Sequence, residues 1–456
     1  MMPPRTDPPR AKQSPPESGR APLKEAQTKE GALWEWLKGV SRTLLRRKTK
    51  TTAKPPAADS AAPETASHLK PSHGAKPAHS KLAKPRPAKP AVQAHSQVVP
   101  AEIPFRMIST DSDLAEAVKT FAPHPRIALD TEADSLHCYF DKLCLIQISI
   151  PGHNFLIDPL AGISLNPLFE ALEGKTVIIH SADYDLRLLR RCNFTGPTLL
   201  FDTMIAARLC GATEFGLAAL LHQHFGVTLA KASQKANWAR RPLPAEMLHY
   251  AVNDTLNLLT LSQIQEARLR ELGRYEWFEQ MCEKAIRSAS VIRERDPDTL
   301  WRISGYADLS RRGSAVLRAL WYWRDSEAQA VDKPAFHIAS NDHLLEFAGQ
   351  FDKGHTPDTR HIKGSRRTRL LQSAEEALLL PEDDWPKILR KPRLRTTQEQ
   401  EARFKDLRRI RDSAGADLNL DPTLIASKAT LEQLSRNEAP ALESIMPWQR
   451  QLLRLD

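Results

Sequence analysis

Between residues 126 and 182 the chain carries three runs that suit only extended backbone. RIALDTEA (126–133), LCLIQISI (143–150) and TVIIHSA (176–182) are apolar and rich in β-branched residues, which pack well on a pleated, buried surface. NFLIDP (154–159) follows the second run at hairpin spacing. Helical patterns are interleaved with these runs. NPLFEALEG (166–174) ends on a C-cap glycine, and YDLRLLRRC (184–192) follows the third strand. LLFDT (199–203) starts another helix, with Asp202 or Thr203 as its N-cap. A long helical pattern runs from Ala245 to about Ser290, broken near Gly273. Strands alternating with helices predict an α/β domain over 101–290, a mixed sheet flanked by helices.

The remainder divides in two. Residues 296–456 read as all-helical and repeat at an offset of 87 residues. Arg324-Asp325-Ser326 matches Arg411-Asp412-Ser413, and Ile338-Ala339-Ser340 matches Ile425-Ala426-Ser427. Leu344 and Phe347 fall on Leu431 and Leu434 in the same register. Two small helical domains, 296–380 and 393–456, are expected around the proline-broken PEDDWPKILRKP (381–392). Residues 1–100 hold 16 of the 34 prolines, with AKPRPAKP-type repeats. They bury too little apolar surface to offset chain entropy and are expected to be disordered. One amphipathic island, GALWEWLKGVSRTLLRRK (31–48), offers a helix for a partner, set against a plain solubilising tail.

Charge follows this division. The chain has 65 Lys+Arg and 55 Asp+Glu, a net charge of +10. Residues 1–100 contribute 19 basic and 7 acidic residues, or +12, which leaves −2 for the rest. The basic excess therefore belongs to the tail and says little about a folded site. The five cysteines form no C-x-x-C, so neither a disulfide framework nor structural zinc is expected, consistent with a reducing cytoplasm. No membrane span or secretory signal is expected either.

Three acidic motifs carry the chemistry. Asp130 and Glu132 stand at i and i+2, so both face one side of a strand end. Two acids there repel unless a cation lies between them, and hard oxygen donors favour Mg²⁺ or Mn²⁺. In IIHSADYDLRLL, Asp183 and Asp185 both fall in a helix's first turn, where either also suits the helix dipole. In HYAVNDTLNLL, Tyr250 and Asp254 share one face of a helix. Singly, each motif reads as well or better as a solvated strand end, a dipole-stabilising acid or a core Tyr–Asp contact.

Their order in one α/β domain resembles the DEDD exonucleases of the RNase H-like fold, in the subgroup with a tyrosine in the third motif. LDTEADS, LCLIQIS, FLIDPL, FDTMIAARLCG and GLAALLHQHFGVTLAKASQKANWARRPLP make it similar to the ribonuclease D family over about residues 104–270. Residues 296–377 resemble the HRDC domain of that family, and the second copy is a looser match. No G-x-x-x-x-G-K-[ST] is present, so a helicase reading lacks its phosphate loop.

The resemblance implies a 3′–5′ exoribonuclease that holds two divalent cations on Asp130, Glu132, Asp185 and Asp254, and it selects Asp185 over Asp183. Asp130 is expected to bridge, Glu132 and Asp254 to serve the water-binding cation, and Asp185 to act on the second, partly through water. Tyr250 is expected to orient the attacking water, since a phenol is a poor base at neutral pH. Leu136 is expected to wedge against the terminal base, and Thr131 to contact substrate. Lys231, Trp238, Arg240 and Arg241 are candidates for phosphate or base contacts, against a solvated loop with Trp238 in the core. His180 is read as a core residue, His249 has no role, and Trp321 and Trp323 belong to the helical core. KGSRRTR (363–369) is either an RNA-contacting loop or a charged surface.

The implied substrate is RNA, with tRNA precursors foremost, and the implied state a cytoplasmic monomer. A single-strand DNA exonuclease and a catalytically silent nucleic-acid scaffold are the alternatives. The filled set of catalytic positions argues against the scaffold.

Overall fold

A computed structural model of the chain describes residues 103–229, 233–291, 296–389 and 396–455. The tail, its 31–48 island and Lys231 lie outside these residues. Six strands form one sheet: β1 (Arg106–Ile108), β2 (Arg126–Ala133), β3 (Leu143–Ile150), β4 (His153–Ile157), β5 (Thr176–Ile179) and β6 (Leu199–Asp202). Their order is β1-β4-β3-β2-β5-β6. β2, β3 and β4 pair antiparallel, while β1 on β4, β5 on β2 and β6 on β5 are parallel. The sheet is therefore mixed, with β2 near its middle.

All eight residues of β3 are buried, which explains a run with no polar alternation. From Leu145 onward, alternate residues serve two different cores. Ile146 and Ile148 join Ile127 and Leu129 in the main core. Leu145 packs with Trp238, Met247, Ala251 and Val252 on the other face.

The helices of this part are α1 (Asp111–Phe121), α2 (Asn166–Leu172), α3 (Asp183–Arg191), α4 (Thr203–Leu209), α5 (Leu217–Phe225), α6 (Ala245–Leu256), α7 (Leu258–Glu271) and α8 (Tyr275–Ser290). LLFD is a strand, not the start of a helix. Its pairing with β5 extends it up to Asp202, which then caps α4 by accepting from the amides of Met204 and Ile205. The long pattern after Ala245 breaks twice. The break at Gly273, with φ of +66°, was expected. The other, at Asn257, separates α6 from α7 and lets α6 lie across β2, β3 and β4.

The helical region contains α9 (Arg311–Ala330), α10 (Ala335–Ile338), α11 (Asn341–Asp352), α12 (Gly364–Leu378), α13 (Gln398–Asp417), α14 (Pro422–Ile425), α15 (Lys428–Ser435), α16 (Ala439–Ser444) and α17 (Pro447–Leu453). The 87-residue offset reappears as geometry. Arg324 donates to the Ala339 carbonyl at 3.2 Å and Arg411 to the Ala426 carbonyl at 3.0 Å. Ser340 caps α11 through the His343 amide, as Ser427 caps α15 through the Thr430 amide. The matching triplets thus preserve one buried arginine contact and one helix cap.

The copies differ in where they bury their apolar residues. The first surrounds Trp301, Trp323, Leu344, Phe347 and Leu370. The second sends Leu407, Leu424, Leu431, Leu434 and Leu453 into the core of the α/β part. There Trp448 stacks on Trp277 of α8 with ring centroids 4.8 Å apart, and Arg274 donates to the Leu418 carbonyl. Among the described residues, no helix is long and apolar enough to cross a membrane.

Candidate active site

Asp130 and Glu132 lie at the end of β2 and leave the same face of the strand. The register of β2 on β3 slips between Glu132 and Ala133, which bends a strand end and re-aims its side chains. α6 crosses this face and supplies Asp254. One carboxylate oxygen each from Asp130, Glu132 and Asp254 lie within 4.8 Å of one another. The Tyr250 hydroxyl lies against Asp254, one helical turn earlier.

Asp185 approaches from α3 and is 6% exposed. Thr131 secures it: the Thr131 amide donates to Asp185 Oδ1 at 3.1 Å, and the Thr131 hydroxyl donates to the same oxygen. Asp183 instead faces solvent and pairs with Arg187 at 2.7 Å, one turn on. Of the two acids that spacing left open, Asp185 is the one at the cluster. These groups line a cleft of about 690 Å³, with His180, Gln234 and Leu217 on its walls.

The electrostatics are those of an unneutralised site. Burial, and then the charges of Asp185, Asp254 and Glu132, push Asp130 well above the ordinary carboxylate range. Burial with Asp254 and Asp185 raises Glu132 to about 9. Asp185 and Asp254 are also raised, chiefly by burial. Among the described residues no Lys or Arg offsets these four. Burial and then the nearby carboxylates raise the Tyr250 phenol, so it stays protonated at neutral pH. A compact set of hard oxygen donors that repel one another fits divalent cations of the Mg²⁺ or Mn²⁺ type.

Some groups escaped the sequence reading. The Asp202 carboxylate accepts from the amides of Ser181, Ala182, Met204 and Ile205. It thereby pins the β5–α3 turn, where Ser181 has φ of +64°, and through it the start of the helix bearing Asp185. His180 meets the Thr203 hydroxyl at 2.9 Å, and burial lowers its pKa, so the imidazole is neutral at the cleft wall. The loop after β2 is held by the helical region: Asp332 accepts from the amides of Tyr139 and Phe140, and the Tyr139 hydroxyl donates to Asp325. Leu136, on that loop, is 43% exposed.

Three substrate-contact expectations need correction. Trp238 is 1% exposed and packs in the α6–sheet core, so it has no free face for a base. Arg241 spends its fork on Asp158, both bonds at 2.6 Å, and on the Cys144 carbonyl. Thr131 is buried, and its amide and hydroxyl are both engaged with Asp185. Arg240 remains exposed. Trp238→Ala should lower unfolding free energy in urea by about 3 kcal/mol or more, as large core truncations do. A variant of unchanged stability but raised KM for RNA would restore the stacking role.

Comparison with known proteins identifies the family and the fold. A family model described as 3′-5′ exonuclease matches residues 105–270, and one described as HRDC domain matches residues 314–351. Ribonuclease D of Haemophilus influenzae is 30% identical over 354 residues, 72% of this chain and 84% of that protein. Ribonuclease D of Gluconacetobacter diazotrophicus is 28% identical over 355 residues, 75% of this chain and 89% of that protein. The crystal structure of Escherichia coli RNase D, an exoribonuclease involved in structured RNA processing, aligns with a TM-score of 0.59 at 25% identity, covering 77% of this chain and 99% of that one. With this α/β sheet, acidic cleft and helical region, the chain belongs to the ribonuclease D family of 3′–5′ exonucleases.

Proposed function

We propose that the chain, acting as a monomer, removes nucleotides one at a time from RNA 3′ ends by two-metal-ion hydrolysis, with tRNA precursors as the natural substrate class. The observation that carries this reading is the convergence of three carboxylate oxygens within 4.8 Å, uncompensated by any basic group among the described residues. Asp130, Glu132, Asp185 and Asp254 would hold the cations. When bound, two divalent cations supply charge relief on the phosphate and acidify the attacking water.

The chain's own groups do the positioning. Thr131 and Asp202 orient Asp185, one through its carboxylate and the other through the turn that precedes it. The protonated Tyr250 hydroxyl aligns the attacking water and takes no proton from it. Exposed Leu136 packs against the terminal base and holds the last phosphodiester over the acids. The single-stranded 3′ end of a structured RNA suits an open cleft of this kind. The described structured-RNA role of Escherichia coli RNase D favours such substrates here.

The test is shortening of a 5′-labelled tRNA precursor bearing 3′ extra nucleotides, with the released nucleoside 5′-monophosphates identified by chromatography. Mg²⁺ or Mn²⁺ should yield a ladder that shortens from the 3′ end. Internal fragments, or no release with either metal, would sink the reading. Tyr250→Phe should lower kcat roughly 100-fold with KM for RNA unchanged, the scale of a lost positioning or proton-transfer group. Wild-type kcat in that variant would remove Tyr250 from the reaction.

A further inference from the structure

Directly across the β2–β3 ladder from Asp130 stands Gln147. Antiparallel partners in register project to the same face, with their Cβ atoms about 5 Å apart. Gln147 therefore lies on the face that bears the acids. It is 0% exposed, and neither its Nε2 nor its Oε1 has a hydrogen-bond partner.

Its neighbours on that face bracket it under α6. Two residues on, the Ser149 hydroxyl meets the Thr255 hydroxyl at 2.7 Å. Two residues back, Leu145 packs in the cluster that contains Ala251 and Val252. Gln147 thus sits beneath the turn of α6 that carries Asp254. A wholly buried amide that bonds to nothing is expensive, and a leucine at this position would remove that cost.

We infer that Gln147 is a positioning residue for the cation site, its side-chain amide donating to the Asp130 carboxylate when a cation is held there. The inference rests on the proposed metal site. A carboxylate that bridges cations needs its remaining lone pairs directed, and a neutral donor does so without competing for charge. A lysine there would neutralise the acids and displace the cation. A leucine would leave Asp130 free to turn. Gln147 is thereby a cost in the metal-free chain and an asset in the loaded one. In ligand sets of this kind, outer partners are commonly worth 10- to 100-fold in metal affinity or activity.

The experiment titrates Mn²⁺ into the full chain and follows the thermal midpoint, with no RNA present. Wild type, Gln147→Leu and Ser149→Ala are compared, the last as a control for disturbing the same seam under α6. Gln147→Leu should match or exceed wild type in midpoint without metal. Its half-saturating Mn²⁺ should rise about tenfold or more, and kcat should fall with KM for RNA unchanged. Ser149→Ala should lower the midpoint and leave the Mn²⁺ titration in place. If Gln147→Leu does not fold, Gln147→Met carries the same comparison.

Equal Mn²⁺ titrations in wild type and Gln147→Leu would overturn this inference alone. A lower metal-free midpoint with an unchanged Mn²⁺ response would make Gln147 merely structural and overturn it as well. A wild-type chain whose midpoint ignores Mn²⁺ would overturn the metal site itself, and this inference with it.

Discussion

Asp130→Asn will cut kcat on RNA by roughly 1,000-fold or more, a loss of about 4 kcal/mol of transition-state stabilisation, while making the metal-free protein more stable at pH 8. Both effects have one origin. Asp130 sits where Glu132, Asp185 and Asp254 all raise its pKa, after burial has done so first. Asparagine keeps the shape and removes the charge. The carboxylate proposed to bridge the cations is lost, and the remaining acids repel one another less. Single-turnover hydrolysis with Mg²⁺ and urea unfolding in EDTA read the two effects separately. Activity within tenfold of wild type would reassign the ligand set. A less stable metal-free variant would mean that the cluster is not under electrostatic strain.

Chelation should abolish hydrolysis and uncover a stability that falls as pH rises. The sign follows from the direction of the shifts. The folded chain holds Asp130, Glu132, Asp185 and Asp254 above their ordinary values. Above about pH 4 it therefore binds more protons than the unfolded chain. The stabilisation is full below the unfolded values and is lost as pH climbs through the folded ones, for Glu132 about 9. Cations bind the deprotonated ligands, so the gain from Mn²⁺ should grow from pH 6 to pH 9. At 100-fold excess over Kd a single bound cation adds about 2.7 kcal/mol, a shift of several degrees in Tm. Glu132→Gln should flatten the pH dependence. A metal-induced shift that is the same at both pH values would count against this account.

Asp130, Glu132 and Asp254 were legible as cleft acids because each lies in a segment whose local period sets its direction, while spacing alone left Asp183 and Asp185 open. Asp130 and Glu132 alternate with Thr131 on a strand, and Tyr250 and Asp254 stand one turn apart on a helix. What stayed hidden depends on contacts between distant segments. LLFD read as a helix start because four residues cannot declare a strand without the neighbouring β5. β1 is shorter still, at three residues. Thr131 looked like a substrate group because its hydroxyl's partner, Asp185, is 54 residues away. Trp238 and Arg241 sat in a stretch that read as a basic, aromatic loop, yet the sheet and Asp158 had already claimed them. The helical repeat was legible as matching triplets. The repeat could not tell which core the second copy would enter, since both copies carry similar apolar spacing.

The stack of Trp448 on Trp277 bears on how this nuclease is made. Translation delivers α8 well before α17, and the intervening residues take on the order of ten seconds or more to synthesise. Over that interval the nascent sheet carries an uncovered aromatic flank and lacks its last buried leucines. The α/β part therefore reaches its finished core only after α17 has left the ribosome.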